Sequence, residues 1–184
     1  MDSSKVLIGD TAESFQYNDL RKDVLHAGYY NVENMDMDDS LSIEGDIVGD
    51  YAVVKYKPDA VSKGYFDVQI PPHIDLGLDW LVRIGFDMDT AEAAKNVRLQ
   101  LQYTSVLNTG DTDPAKTTLL ETVSTPNTGD TLKVITLSTI KIPNTALASG
   151  NEVSFMLSRL GSDGADTHGG FFRLFGLQLF QTQT

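Results

Sequence analysis

From about residue 50 onward, apolar and polar side chains alternate with a period of two, the mark of strands buried on one face. The segment "DYAVVKYK" at 50–57 is rich in β-branched and aromatic residues. In "GYFDVQI" at 64–70, Tyr65, Asp67 and Gln69 alternate with Phe66, Val68 and Ile70, and "PP" at 71–72 ends the run. "DWLVRIGFDMD" at 79–89 puts Trp80, Val82, Ile84 and Phe86 on one side. "NVRLQLQYTSV" at 96–106 is the clearest case: Val97, Leu99, Leu101 and Tyr103 face one way, Arg98, Gln100 and Gln102 the other. "TTLLETVS" (117–124), "TLKVITLSTIKI" (131–142), "EVSFMLSRL" (152–160) and "GFFRLFGLQLFQ" (170–181) bring the count of strands to eight. In the sixth the apolar phase slips between Val134 and Ile135, which predicts a bulge or a change of sheet there.

The connections carry "NTGDTDP", "TPNTGD", "PNTALASGN" and "GSDGADTHGG", rich in residues that tolerate turn geometry. No long amphipathic helix interrupts the strands. The pattern predicts an all-β fold, an eight-stranded antiparallel jelly-roll sandwich, with a closed barrel as the nearest rival.

Residues 1–49 have another texture and read as an arm and lead-in to a sandwich over 50–184. A short helix is expected in the arm: Asn18 as N-cap, Leu20, Val24 and Leu25 on one side, Gly28 at the end. Such a helix is too short to stand alone and must lean on its own domain or a neighbour.

Charge narrows the function. At net −12 the chain gains nothing from neutralising phosphates, which argues against nucleic acid and against an anionic membrane surface. It has no cysteine, so disulfides, thiolate chemistry and cysteine zinc sites drop out. The start lacks a basic and then apolar leader, so no secretory signal is expected and the chain is expected to accumulate in the cytosol where it is made.

Chemistry-bearing residues are dispersed. His26, His73 and His168 fall in the arm, after the proline pair and in the last loop, and no serine sits in a nucleophile elbow. Asp163, Asp166 and His168 invite a metal, but an Asp-Thr pair in a glycine-rich turn more often satisfies local backbone N–H groups. The acids of "ENMDMDDSLSIEGD" (33–46) do not keep EF-hand order, nor do "DMDTAE" and "GDTDP". Trp80 shares a phase with core residues. Tyr29, Tyr30, Tyr51, Tyr56 and Tyr65 offer a sugar-stacking surface as an alternative to burial. No catalytic residue, cofactor or metal is expected.

The last two strands and their loop carry a resemblance. Phe155, Leu157 and Arg159, then Gly161, Asp166, Thr167, Gly169 and Gly170, then Leu174, Gly176, Leu177 and Leu179, resemble the C-terminal hairpin of jelly-roll virion proteins of tailed bacteriophages. That family includes capsid decoration proteins, head fibres and tail-spike domains. The resemblance implies a non-enzymatic virion protein on the capsid exterior. It would be a homotrimer clamping the major capsid protein, with no nucleic-acid or membrane partner. Head fibre, tail fibre, baseplate component and carbohydrate-binding sandwich are the alternatives. Arg159, Asp163, Asp166, Thr167, Gly169 and Gly170 then form a structural signature, with Arg159 paired to Asp163 or Asp166.

Overall fold

The computed structural model describes residues 24–31, 36–37, 42–45, 52–70, 77–106, 116–146 and 152–182. Eleven strands run through them: β1 (Val24–Asn31), β2 (Asp36–Met37), β3 (Ser42–Gly45), β4 (Ala52–Tyr56), β5 (Val61–Gln69), β6 (Trp80–Met88), β7 (Asn96–Val106), β8 (Thr117–Ser124), β9 (Lys133–Ile142), β10 (Glu152–Leu160) and β11 (Phe172–Thr182). A 3-10 turn at Asn144–Ala146 follows β9.

The strands form two antiparallel sheets. The first has the order β3-β4-β11-β6-β9, and β1 also pairs with β11. The second has the order β2-β5-β10-β7-β8. Within each, four strands make the jelly roll: β4, β11, β6 and β9 face β5, β10, β7 and β8, and the chain passes between sheets at most connections. These eight are the eight strands of the sequence pattern.

The core lies between the sheets. Trp80, Val82, Ile84, Phe86 and Met88 of β6 and Val97, Leu99, Leu101 and Tyr103 of β7 are all buried. Within the first sheet the Phe86 and Phe172 rings stack at 4.9 Å, and within the second Phe66 and Phe155 stack at 5.2 Å. Phe172 also meets Tyr56 edge-on at 5.7 Å.

Three pairings carry a register shift, and none falls where the sequence suggested. Between β1 and β11 it skips Ala27, between His26↔Phe180 and Gly28↔Leu179. On β11 the pairing to β6 skips Phe175, between Leu174↔Phe86 and Gly176↔Gly85. That bulge lets Phe172 and Leu174, then Leu177 and Leu179, all face inward. On β9 the expected slip at Val134 and Ile135 is absent. Val134 is exposed and Ile135 packs on the core, as regular alternation requires. The irregularity falls later, where β6 moves two residues, from Leu81 to Arg83, while β9 moves five, from Lys141 to Thr136. Ser138 and Thr139 are both turned outward there.

The arm also departs from expectation. Val24–Gly28, given to the helix, belong to strand β1, which pairs antiparallel with Gly176–Thr182 of β11. The available edge of β11, beyond the three residues that pair with β4, supplies backbone partners that a lone two-turn helix lacks. Residues 18–23 lie outside the described residues.

Candidate functional site

The loop at 161–171 is not a hairpin. β10 belongs to the second sheet and β11 to the first, so the loop arches over one end of the sandwich. Arg159 sits in the inward phase of β10 after Val153, Phe155 and Leu157, and is fully buried. Its Nε and Nη2 donate to Asp166 Oδ2 at 2.9 Å and Oδ1 at 2.8 Å, a two-pronged ion pair. Nη1 donates to the Gly170 carbonyl at 2.6 Å, and Nη2 also donates to the His168 carbonyl at 2.5 Å. Asp166 Oδ2 further accepts from the Arg98 N–H at 3.1 Å. Of the two partners considered for Arg159, Asp166 is the one used. Asp163 instead accepts from the Ala165 N–H at 2.8 Å and so closes its own turn.

The rest of the arch is tied to β7 and to the loop after β6. Thr167 Oγ1 accepts from the Asn96 N–H at 3.0 Å, and the Asn96 carbonyl accepts from the Thr167 and His168 N–H groups. Gly169 N–H donates to Glu92 Oε1, and Phe171 N–H to Asp89 Oδ1 at 2.7 Å. A methyl group at Gly170 would collide with Thr90 Oγ1 and Asp89 Oδ1. His168 Nδ1 accepts from the Gly170 N–H at 3.0 Å. Burial holds the imidazole below the ordinary value of 6.5, against the pull of Glu92 and with the help of Arg159.

A second ion pair flanks this end. Arg173 donates to both oxygens of Asp87 at 2.6 Å and reaches Asp130, whose backbone is left-handed at φ 52°. Among the described residues no three His, Asp or Glu side chains are placed to hold a metal. The carboxylates of Asp87, Asp89, Asp163 and Asp166 are each engaged by a donor of the protein itself. Chemically, the cluster can brace the end of the sandwich and little else. His73, Tyr51 and most of the acidic stretch at 33–46 lie outside the described residues, and His26, Tyr29 and Tyr30 belong to β1. Tyr56 and Trp80 are core residues.

The outer face of the second sheet differs. Four strands spaced about 4.8 Å apart carry it, roughly 15 Å across. Register aligns Tyr65, Met156, Gln102 and Thr118 in one row and Lys63, Ser158, Gln100 and Leu120 in the next. Tyr65, Leu120, Asp67 and Thr118 are exposed, and the glutamines and Lys63 are partly so. Gln102 Nε2 donates to Thr118 Oγ1 at 3.1 Å, Arg98 Nη1 to Thr122 Oγ1 at 2.8 Å, and Ser154 Oγ to Asp67 Oδ1 at 2.5 Å. These bonds hold the polar groups in place before any ligand arrives. Pattern reading had put Tyr65 and Asp67, and Arg98, Gln100 and Gln102, on the polar sides of their strands. It had not brought the two strands onto one face, nor singled out Lys63 or Ser158.

One structural carboxylate also escaped notice. Glu121 shares the inward phase of β8 with Leu119 and Val123, and a charge in an apolar phase was its signal. Its oxygens accept from the Ser138, Thr139 and Ile140 N–H groups and the Ser138 hydroxyl at 2.7–3.1 Å. Burial would raise its pKa, but those donors hold it below the ordinary 4.5.

No protein-family model matches this sequence, and no curated protein matches it either. Solved structures do share its shape. An exo-β-1,3-galactanase from Phanerochaete chrysosporium superposes over 84% of this chain and 29% of its own, at a TM-score of 0.53 and 12% identity. The CBM22-1 xylan-binding domain from Paenibacillus barcinonensis Xyn10C gives a TM-score of 0.49 at 8% identity, covering 86% of this chain and 96% of its own. TmCBM61, solved with β-1,4-galactotriose, gives 0.40 at 13% identity, covering 85% and 90%. This chain thus spans under a third of the galactanase it matches. The likeness to that enzyme and the strand order agree on the fold: an antiparallel two-sheet β-sandwich of jelly-roll kind.

Proposed function

We propose that the chain is a non-catalytic binding module that takes a saccharide on the outer face of its second sheet. The observation that carries this reading is the exposed row of Tyr65, Gln102 and Thr118 beside Lys63 and Gln100. An aromatic ring presents an apolar face to a pyranose, and amides and hydroxyls held by mutual hydrogen bonds match its hydroxyl groups. The Arg159–Asp166 pair fastens the end of β10, the middle strand of that sheet. A saccharide is also named for the galactanase that shares the fold, and for this chain it is part of the proposal.

The test is binding of the full chain to a panel of soluble polysaccharides by affinity electrophoresis. Tyr65→Ala and Gln102→Ala should each weaken retention about fivefold or more, with an unchanged unfolding midpoint. No retention by any glycan would end this reading.

A second reading is the virion one: a homotrimeric decoration protein on the major capsid protein. It is favoured by the way Arg159, Asp166, Thr167 and Gly170, which carry the resemblance, are each built into the arch. A monomer at high concentration that fails to bind capsids would remove it.

A further inference from the structure

We infer that the centre of this face is a subsite for an anionic saccharide, with Ser158 as its floor and Lys63 and Arg98 as its cationic walls. The inference rests on the saccharide reading above. Ser158 points outward on β10, between Lys63 of β5 and Gln100 of β7. Yet it is fully buried, and its hydroxyl has no partner. Its neighbours on this face, Met156, Leu160, Lys63 and Gln100, are longer side chains that close over it, and a pit opens above the serine only when they swing aside. A hydroxyl orphaned at its base has lost water and gained nothing in return.

Arg98 supplies a second orphan. Its Nη1 is fixed on Thr122, while its buried Nε donates to nothing. Among the described residues, Lys63 and Arg98 form no ion pair, whereas Arg159 and Arg173 do. Two cations with no ion-pair partner among the described residues therefore stand on one face of a chain of net charge −12. They are two strand spacings apart across β10 and one two-residue step apart along it, about 12 Å, within joint reach of one small anion for side chains of this length. Of the acids in register with this face, Asp67 lies four residues from Lys63 along β5, about 13 Å away, and Asp36 of β2 stands opposite Tyr65, on the side of β5 away from Arg98. The geometry suits a carboxylate or sulfate ester between the cations. The sugar ring then lies toward Tyr65, next to Lys63 on the same side of β5, and a ring hydroxyl enters the Ser158 pit. Charge complementarity singles out this occupant over a neutral glycan.

The experiment compares binding of the full chain to polygalacturonate, sulfated dextran and uncharged galactan. An anionic glycan should bind best, and binding should weaken as salt rises from low to physiological strength. Lys63→Gln and Arg98→Gln should each cost about threefold to fivefold in affinity. Ser158→Ala should weaken binding while leaving the unfolding midpoint unchanged or raised, since it removes an orphan. Preference for sulfated dextran over polygalacturonate would keep the subsite and name the sulfate ester as its ligand. Galactan bound as tightly as the polyanions, or indifference to both charge-removing variants, would overturn the subsite and leave the saccharide module standing. Silence toward all three would remove both.

Discussion

At the scale of single residues, the end of the sandwich depends on one buried guanidinium. Arg159 has five donors and finds acceptors in Asp166 and in two or more backbone carbonyls, so its desolvation is repaid by geometry rather than by charge alone. Asp166→Ala would leave that cation buried and should lower unfolding free energy by about 3–5 kcal/mol in urea titration. A loss under about 1 kcal/mol would mean water replaces the carboxylate without cost. The two glycines at the start of the arch should part company. A methyl at Gly161 runs into the backbone carbonyl of Pro58, and backbone cannot swing aside, so Gly161→Ala should cost about 1–3 kcal/mol. At Gly164 a methyl meets nothing within 4 Å, and Gly164→Ala should fall within about 0.5 kcal/mol of wild type. His168 adds a pH term. Its folded pKa lies below the unfolded 6.5, so below that pH the unfolded chain takes up the proton first and stability falls. The unfolding midpoint of wild type should therefore drop as pH falls below 6.5, and that part of the slope should vanish in His168→Gln.

At the scale of elements, the irregular stretch of β9 is held by a carboxylate from the facing sheet. The residues from Leu137 to Ile140 oppose a single position on β6, which leaves N–H groups pointing away from the ladder. Glu121 collects three of them and thereby fastens the edge of one sheet to the edge of the other. Glu121→Gln keeps the shape but turns one acceptor into a donor facing N–H groups, and should cost about 1–3 kcal/mol. Because the folded pKa of Glu121 is depressed, its contribution is complete above 4.5 and lost as pH falls below it. Acid unfolding of the Gln variant should start from lower stability and show a shallower limb. How much of this was legible follows from the range of each interaction. All eight sandwich strands were readable, because alternation is local. The one expected bulge, at Val134 and Ile135, was misplaced because apolar content is not burial: Leu132 and Val134 are apolar but exposed. At Val24–Gly28, where the end of a helix was expected, strand β1 forms instead, and its partner β11 lies some 150 residues on. Arg159 was flagged and Asp166 was one of two options, both within reach of one loop. The outer face of the second sheet was not assembled, since Ser154 and Asp67 meet across 87 residues.

At the scale of the whole molecule, the described strands of the lead-in pair into both sheets. β1 covers the edge of β11 from Gly176 to Thr182, β3 extends β4, and β2 extends β5. The opposite edge of β11 is covered by β6 along nearly its whole length, so the jelly roll is complete without β1. Deleting residues 1–31 should therefore leave a cooperatively folded sandwich. It should also strip seven register positions of backbone pairing from β11, at about 2–4 kcal/mol of lost stability if half of the bonds are replaced by water. An uncovered strand edge pairs with whatever strand it meets. The truncated chain should accordingly gain a tendency to self-associate that rises with concentration, visible in sedimentation. High net negative charge opposes that association, so salt should promote it by screening. A truncated chain as stable and as monodisperse as the full one would mean that β1 contributes nothing to the sandwich. A truncated chain that does not fold would move β1 from an accessory strand into the minimal domain, and the boundary near residue 50 would have to move with it.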